Sequence, residues 1–474
     1  MAKTFFFYDL ETSGLSGRDD RIMQFAGQRT TMELEPVGEP LNVLIKLNDD
    51  TLPSPEAVLV TGITPQSTQA DGYTEAEFCK IVIEDVFTAD TIMVGFNNVR
   101  FDDEFVRHLL WRNFYDPYEW AWSEGRSRWD MLDVVRMTRA LRPSGIEWPV
   151  DSDGNPTNRL ELLTKANGID HLSAHDALSD VEALISVSKL IKTKQPKLFD
   201  HLLKMRDKKA VRELANLDEK QPFVYVSGRY DSNYHKATVA FPLTAAPNGN
   251  IVTFDLRHDP TDFVDLPVDE LAKKVFATWQ ERKAEDFVAL PTKVLQYNRC
   301  PAVAPLGVLE QENGWERIGL TLETIKKHTK ILLDHPDFAE RLRGIYEKTK
   351  DYKPTNDAEG QLYDAFLSDR DKLRVEAVRN ADAADLADFH PEFQDERLPS
   401  LLLHYKARNY LSSLSEDEMT QWEIWRAERL QRQLPSFLKS LQKLASNTDE
   451  KNQFLLEELR LWAEAIVPVD ESYA

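Results

Sequence analysis

The chain has 474 residues, and because single hydrophobic cores stop growing at about 250–300 residues, we expect about two to four domains. Hydrophobic residues make up 42% of the chain and charged residues 29%, a globular balance that excludes a disordered or fibrous protein. The net charge of −22 excludes a uniformly basic surface, so any groove that binds nucleic acid has to be local.

From the first residues of the sequence we expect no targeting signal. The apolar run from Phe5 to Tyr8 is much shorter than a signal-peptide core and leads directly into Asp9. No segment approaches the roughly 20 apolar residues of a membrane span, so we expect a cytoplasmic protein. Cys79 and Cys300 lack CxxC spacing, which argues against a disulfide framework or a zinc site and favours buried thiols.

Residues 1–195 read as an α/β unit in which short apolar strands alternate with helices that have apolar residues at three- and four-residue spacing. The predicted strands are 5–10, 42–47 and 91–96, and the predicted helices are 74–87, 103–112, 130–140, 160–167 and 174–191.

Two further regions follow, with boundaries predicted near residues 195–196 and 349–354. Residues 222–256 alternate with period two and contain a Pro-Asn-Gly turn, which predicts an antiparallel β unit. The remainder is helical in pattern. Its predicted helices are 398–411, 416–430, 436–444 and 451–466. We therefore divide the chain into domains 1–195, 196–350 and 351–474.

Charge is distributed unevenly along these regions. Residues 355–474 carry 24 acidic and 14 basic side chains. Residues 100–142 carry eight of each sign together with nine aromatic residues. This balanced, aromatic segment is a candidate for a local binding groove, although the overall charge indicates that tight binding needs a cation or a partner.

The first candidate for chemistry is the segment FFFYDLETSGL. Strand alternation puts Asp9 and Glu11 on one face, where hard oxygen ligands suit a divalent cation. In a chain with 80 acidic residues, about a dozen such pairs arise by chance, so a surface strand end stays open as an alternative. The buried aromatic run before the pair favours a functional site.

A second and a third candidate occur later in the same region. In MVGFNNVRFDDEF, an apolar strand turns into a helix at Asp102, whereas Asp103 and Glu104 read as helix-start acids that complement the helix dipole. In AHDALSDVEA, His175 and Asp180 are five residues apart, about 1.4 helical turns, and can face one cavity. Taken alone, this last pair is more typical of helix capping and surface polarity than of catalysis.

Together, the three segments resemble the motifs of the DEDDh family of 3′ to 5′ exonucleases, which have a ribonuclease H-like fold. The resemblance covers about residues 5–190 and implies two Mg²⁺ ions, with Mn²⁺ as a substitute. It also implies His175 as the base that activates water, which agrees with the neutral-range titration of histidine. The implied metal ligands, which are also catalytic residues, are Asp9, Glu11, Asp102 and Asp180.

The segments GFNNVRFDDEFVRHLLWRNFYDPYEWAW, SRWDMLDVVR, RLELLTKANGI and AHDALSDV are more specifically similar to the bacterial exonuclease I family. That family acts processively on single-stranded DNA, releases 5′-mononucleotides and serves DNA repair and recombination. It implies an SH3-like β domain and an α-helical C-terminal domain after the nuclease domain. The implied substrate-binding residues are Glu11, Arg107, Tyr118, Trp122, Arg136, Arg159, Lys208 and Asn250.

The aromatic residues of the 100–142 segment divide by their context. Trp111 and Trp129 fit helical apolar stripes and are expected in the core, whereas Tyr118 and Trp122 lie in a proline-containing loop. Bases of a single strand stack on such exposed rings while Arg or Lys holds the backbone. We therefore expect the two loop residues to contact DNA.

The resemblance also implies a partner, the acidic tail of single-strand DNA-binding protein, received by a basic surface at Arg142. His201 and Glu310 stand where further basic or aromatic groups would support that surface. We expect a monomer without membrane contacts. Two alternatives stay open: an exonuclease acting on RNA or short oligonucleotides, typically a single compact domain, and a DNA-end-binding scaffold with a vestigial site.

Overall fold

A computed structural model describes residues 3–171, 176–348, 355, 357–446 and 449–468. The chain packs into two compact units. The first unit comprises Met1–Arg128, His171–Ile185 and Pro354–Ala474, and the second comprises Trp129–Asp170 and Ser186–Lys353. Among the described residues, no helix is long and apolar enough to cross a membrane.

The N-terminal region is built on a five-stranded sheet of order β3-β2-β1-β4-β5. β1 runs antiparallel to β2 and parallel to β4, and β2 runs antiparallel to β3. A parallel pair needs a crossover connection, which here is the helical segment between β3 and β4. The strands are β1 Thr4–Thr12, β2 Ile22–Thr30, β3 Leu41–Leu44, β4 Thr91–Gly95 and β5 Ser127–Asp130.

The described part of residues 3–194 contains seven α-helices. Several have local start signals. Ser54 and Thr74 each accept a backbone N–H at a helix start, and Asp130 accepts the N–H of Leu132. The helices are α1 Pro55–Thr61, α2 Pro65–Asp71, α3 Glu75–Ile81, α4 Asp102–Arg112, α5 Met131–Leu141, α6 Leu160–Ala166 and α7 Ala177–Lys194.

The central strand β1 is buried along nearly its whole length. Phe5 to Tyr8 are at most 5% exposed, because side chains on both faces of the strand are covered. Phe6, Tyr8 and other residues of one face belong to a core that includes Phe105 of α4. Because the strand is buried, the side chains at its end lie in a partly dehydrated position.

The second unit contains another five-stranded, antiparallel sheet of order β10-β6-β7-β8-β9. Its strands are β6 Phe223–Val226, β7 Ala237–Ala246, β8 Asn250–Asp255, β9 Thr292–Leu295 and β10 Ala302–Pro305. The period-two pattern of residues 222–256 therefore predicted three of the five strands. The helices here are α8 Pro196–Lys204, α9 Lys208–Leu214, α10 Val268–Phe276, α11 Gly314–Arg317, α12 Leu322–Asp334 and α13 Pro336–Tyr346.

The C-terminal region is helical, as its pattern indicated. One prediction was wrong: residues 416–430 and 436–444 form one helix, which continues through Pro435. Apolar packing of Leu430 and Phe437 on both sides of the proline outweighs the hydrogen bond that the proline removes. The helices are α14 Asp369–Asn380, α15 Ala383–Ala387, α16 Leu398–Asn409, α17 Glu416–Ala445 and α18 Glu450–Ile466.

A group of buried charges joins the C-terminal helices to the nuclease sheet within the first unit. We call it the paired cluster. Glu359 lies 2.9 Å from Arg21 Nη2 and 2.6 Å from Arg408 Nη2, and Arg408 also lies 2.7 Å from Asp50. Its members, all with side chains at most 3% exposed, are Arg21, Asp50, Glu75, Arg112, Glu359 and Arg408.

Candidate active site

The end of β1 carries two carboxylates. Asp9 and Glu11 are two residues apart on the strand, so their side chains leave the same face. The pairing of β1 with β2 becomes irregular between Glu11 and Thr12, where the strand ends. Glu11 is 9% exposed and Asp9 is partly buried.

Helix α7 adds a third carboxylate. Asp180 lies in the first turn of this helix, and carboxylate oxygens of Asp9, Glu11 and Asp180 all lie within 4.8 Å of one another. Asp176 accepts the backbone N–H of Ser179 at 3.1 Å and so caps the beginning of the helix. Residues that are about 170 positions apart in the sequence therefore share one small volume.

Asp102, the first residue of α4, completes the group. It is 4% exposed, and its negative charge acts on both Asp9 and Glu11. We call Asp9, Glu11, Asp102 and Asp180 the acidic cluster. The structure thus brings three of the four nominated carboxylates within 4.8 Å of one another and places the fourth, Asp102, near enough for its charge to act on two of them.

The electrostatics of the acidic cluster are those of repelling like charges. Burial, followed by the charges of Asp102 and Glu11, raises the pKa of Asp9 well above its ordinary value. Burial, followed by the charges of Asp180 and Asp102, raises the pKa of Glu11 to about 8. Asp176 adds to the effect on Glu11. Ionised carboxylates are costly in this position until a positive charge joins them.

The donor set fits a divalent cation. Several carboxylate oxygens converge within bonding reach of a common centre, which is the hard-oxygen environment that Mg²⁺ or Mn²⁺ prefers. Among the described residues, no cysteine belongs to this group of ligands. Cys79 is buried in the hydrophobic core of the same unit, away from the carboxylates. The residues present therefore suit the metal class that the sequence implied.

The expected catalytic base, His175, lies outside the described residues. A second histidine that the sequence reasoning missed does lie at the site: His171 Nε2 is 2.6 Å from Asp180 Oδ1. The only sequence signal for His171 is its position four residues before His175. A hydrogen bond of this kind fixes the orientation of a ligating carboxylate.

Besides Glu11, three of the expected DNA contacts lie in the first unit. Arg107 is paired with Glu104 at 2.7 Å and its side chain is only 12% exposed. Tyr118 is partly buried, and Trp122 is 65% exposed. Trp111 and Trp129 are 4% and 1% exposed, which confirms their expected place in the core.

Two aromatic residues of the C-terminal region, missed by the sequence reasoning, flank Tyr118. Its ring centroid lies 6.4 Å from that of Tyr363 and 5.7 Å from that of Phe366. Tyr363 is 53% exposed and Phe366 is 85% exposed. Tyr363 also donates a hydrogen bond to Glu104, the partner of Arg107. Nothing in the local sequence marks these residues, because they join Tyr118 only through folding.

Four further expected contacts lie in the second unit. Arg136 is paired with Asp133 at 2.7 Å, and its guanidinium packs against Gly228. Arg159 is 64% exposed and forms an ion pair with Glu161.

Lys208 is exposed at the start of α9, and Asn250 Nδ2 donates to the carbonyl of Pro247 at 3.1 Å. Arg212, one turn after Lys208, reaches the carbonyl of Gly249 at 3.4 Å. The end of α9 therefore borders the turn that carries Asn250.

The surface around Arg142 is a cleft of mixed charge, also in the second unit. Its lining includes Arg142, Lys197, His201 and Glu312. His201 bonds the carbonyl of Val303 at 2.9 Å. Glu310 does not line the cleft; its carboxylate accepts the indole N–H of Trp315 at 3.0 Å. Two cations and one histidine therefore face this cleft.

Family models match most of the chain. Residues 6–188 match the exonuclease model, residues 206–348 match the exonuclease I SH3-like domain, and residues 356–466 match the exonuclease I C-terminal domain. The fold and the site thus define a nuclease of the exonuclease class. The expected order of an α/β nuclease domain, an SH3-like domain and a helical C-terminal domain is confirmed.

The chain is 38% identical over 472 residues to exodeoxyribonuclease I of Escherichia coli K12, covering 98% of both proteins. The crystal structure of E. coli exonuclease I with a dA16 oligonucleotide superposes with a TM-score of 0.93 at 37% identity, covering 98% of this chain and 100% of that one. The zinc-bound form of the E. coli complex with single-stranded DNA also gives 0.93, at 36% identity and the same coverage. The chain belongs to the exodeoxyribonuclease I family.

Proposed function

We propose that this chain removes 5′-mononucleotides from the 3′ end of single-stranded DNA by hydrolysing phosphodiester bonds at the acidic cluster. The observation that carries the proposal is the convergence of Asp9, Glu11 and Asp180 within 4.8 Å, in a chain of the exodeoxyribonuclease I family. The oligonucleotide in the E. coli complex supports DNA as the substrate class.

Each residue of the site has a proposed part in the reaction. Asp9, Glu11, Asp102 and Asp180 would hold two Mg²⁺ ions, with Mn²⁺ as a substitute, and Glu11 would also face the terminal nucleotide. When bound, such a pair of cations supplies an activated water and stabilises the leaving oxygen. His175 would accept the proton of the attacking water, and His171 would hold Asp180 in place.

We propose that the strand is held by the exposed aromatic groups of the first unit. Tyr363 and Phe366 flank Tyr118, and bases of any sequence stack on such rings; Trp122 would add a further exposed ring. Arg107 and Arg136 would contact phosphates, and Arg159, Lys208 and Asn250 would add further contacts. Contacts from all three domains, 1–195, 196–350 and 351–474, would make the enzyme processive by keeping the next encounter intramolecular.

We further propose a partner and a cellular setting. The cleft with Arg142, Lys197 and His201 offers cations for the acidic tail of single-strand DNA-binding protein. Glu312 at the same cleft opposes an acidic ligand, so the expected affinity is modest. The protein would act as a monomer in the cytoplasm, in DNA repair and recombination.

A single assay tests the proposed function. Labelled single-stranded DNA, double-stranded DNA and RNA of one sequence are incubated with and without Mg²⁺. We expect mononucleotide release from the 3′ end of the single-stranded DNA, only with the metal. Faster cleavage of the RNA would favour the alternative substrate, and binding without cleavage in Mg²⁺ or Mn²⁺ would favour the scaffold alternative.

The role of His175 has its own test. Replacing it by Ala removes the base but leaves the four carboxylates, so the defect in kcat should shrink as the pH rises and hydroxide becomes available. A defect that stays constant from about pH 6 to 9.5 would contradict the assignment of His175 as the base.

A further inference from the structure

We propose that Asp103 is a positioning residue that holds the segments carrying Asp9 and Asp102 in the geometry needed for metal binding. The inference rests on the proposed function of the acidic cluster. It concerns a residue that the sequence pattern assigned only to the start of a helix. The observation behind it is a buried hydrogen-bonded group formed by Asp103 with Tyr8, Asn98 and Arg128.

Asp103 connects four segments of the nuclease fold. Its Oδ1 accepts the hydroxyl of Tyr8 at 2.5 Å and the side-chain amide of Asn98 at 3.3 Å. Its Oδ2 accepts a hydrogen bond from the guanidinium of Arg128. These partners lie on β1, on the turn after β4 and on β5, while Asp103 itself lies on α4.

Two of these residues are direct chain neighbours of metal ligands. Tyr8 precedes Asp9, and strand alternation sends the two side chains to opposite faces of β1. Asp103 follows Asp102, and successive helical residues differ by about 100° in direction. The bond between Tyr8 and Asp103 therefore ties the two ligand-bearing backbones together from behind, without occupying the site.

The turn between β4 and α4 is shaped for the same contact. Asn97 has a left-handed backbone with φ of 69°, which asparagine tolerates better than most residues. A Cβ on Gly95 would lie 2.6 Å from the Cβ of Asn98, so only glycine permits this close approach. The tight turn brings Asn98 beneath Tyr8, whose hydroxyl lies 3.5 Å from the amide.

The burial and charge of the group exclude a simple dipole role for Asp103. Asp103 and Asn98 are 0% exposed and Tyr8 is 1% exposed, whereas an acid that only complements a helix dipole stays in solvent. Arg128, 8% exposed, balances the charge of Asp103. The pair is therefore neutral as a whole and adds little repulsion to the acidic cluster in front of it.

The test compares Asp103→Asn with Glu75→Gln. Glu75 is also a buried acid paired with an arginine, Arg112 at 2.7 Å, but it lies in the paired cluster. Both variants should lower the free energy of unfolding. Only Asp103→Asn should raise the Mg²⁺ concentration for half-maximal cleavage, by about 10-fold or more, which is typical when the surroundings of metal ligands are disturbed. Excess Mg²⁺ should restore part of its kcat.

Tyr8→Phe keeps the test decisive if Asp103→Asn does not fold, because it removes one hydrogen bond and no charge. It should shift the Mg²⁺ requirement in the same direction by a smaller factor. Wild-type Mg²⁺ dependence in the folded variants would overturn the inference. A wild-type protein that does not cleave in Mg²⁺ or Mn²⁺ would instead contradict the proposed function itself.

Discussion

Two groups of buried charge lie in the same compact unit and behave in opposite ways. In the acidic cluster, burial and neighbouring carboxylates raise the pKa of Asp9 and Glu11. In the paired cluster, burial alone would raise the pKa of Asp50, but the guanidinium groups of Arg408 and Arg21 outweigh it and lower the pKa. Glu359 behaves like Asp50, again through Arg408.

The difference separates a structural charge from a functional one. A buried acid whose charge is balanced by arginines needs no further ligand and serves to join segments of the chain. A buried group of acids whose strongest neighbours are other acids stores repulsion that a divalent cation relieves. Burial and acidity alone do not distinguish the two groups; the sign of the neighbouring charges does.

The largest expected effect follows from removing one acid of the acidic cluster. Asp180→Asn should reduce cleavage by about 10³-fold or more, because the cation pair loses a ligand, while the fold is retained. The measurement is single-turnover cleavage of labelled single-stranded DNA at saturating Mg²⁺. Asp200→Asn, an exposed acid in α8, is the control and should cleave like the wild type. Equal rates for the two variants would remove Asp180 from the site.

Breaking the paired cluster should affect stability next. Glu359→Gln removes one of the buried carboxylates that Arg21 and Arg408 share, and leaves them only Asp50 as a common partner, which should lower the free energy of unfolding by about 3–5 kcal/mol. Urea unfolding monitored by circular dichroism measures this change. Glu457→Gln, which breaks an exposed pair with Arg460, should cause no measurable change.

A fragment of residues 1–195 lacks two members of the paired cluster. Its domain-like pattern suggests independent folding with retained cleavage of short strands, but the fragment loses the acid Glu359 and the base Arg408. Arg21 and Asp50, 3.5 Å apart, would keep each other but would lose their closer partners, Glu359 at 2.9 Å from Arg21 and Arg408 at 2.7 Å from Asp50. We expect the fragment to be unfolded at neutral pH. A cooperative thermal transition in the isolated fragment would show that the paired cluster is dispensable.

Metal binding should stabilise the protein in a pH-dependent way. With a pKa of about 8 in the folded protein against an ordinary 4.5, Glu11 is protonated more in the folded than in the unfolded chain between these values. Without metal, this group therefore lowers stability as the pH rises through that window. Mg²⁺ binds the deprotonated form, so its stabilising effect should be larger at pH 8 than at pH 5.5.

At 100 times the dissociation constant, the stabilisation by Mg²⁺ is about 2.7 kcal/mol. Thermal unfolding with and without Mg²⁺ at both pH values measures it, and Asp180→Asn should abolish most of the difference. The pH dependence of stability that comes from the paired cluster has the opposite sign. Because the pKa values of Asp50 and Glu359 are lowered, their contribution is present above the ordinary carboxylate range and is lost as the pH falls. A stabilisation by Mg²⁺ that is equal at both pH values would contradict the assignment of Glu11 as a metal ligand.

The smallest expected effect concerns the exposed rings. Phe366→Ala should weaken binding of single-stranded DNA by about 1–3 kcal/mol, the range for loss of one stacked base. Fluorescence anisotropy with a labelled strand in Ca²⁺, which should slow cleavage, measures the dissociation constant. Phe454→Ala, which removes another exposed ring, 62% accessible, is the matched control. Equal affinities for the two variants would place the strand elsewhere.

Local pattern was sufficient for several elements of the nuclease domain. The strand run before Asp9, the strand before Asn97 and the helix that carries Asp180 follow from apolar periodicity and turn residues. β2 escaped prediction because its sequence, IMQFAGQRT, mixes polar residues into a strand that is almost completely buried. β5 escaped because four residues, SRWD, are too short to show a period.

The class of the site follows from the amino-acid sequence, because the chemistry of four carboxylates and a histidine depends on residue type, and short motifs preserve their local spacing. Which acids are balanced by a positive charge depends on tertiary contacts. Asp103 and Asp102 are adjacent in the chain, yet Asp103 faces Arg128 and Tyr8, while the charge of Asp102 acts on Asp9. The reason is physical: the pKa of a buried acid depends on charges within a few ångströms, and folding draws these from distant parts of the chain.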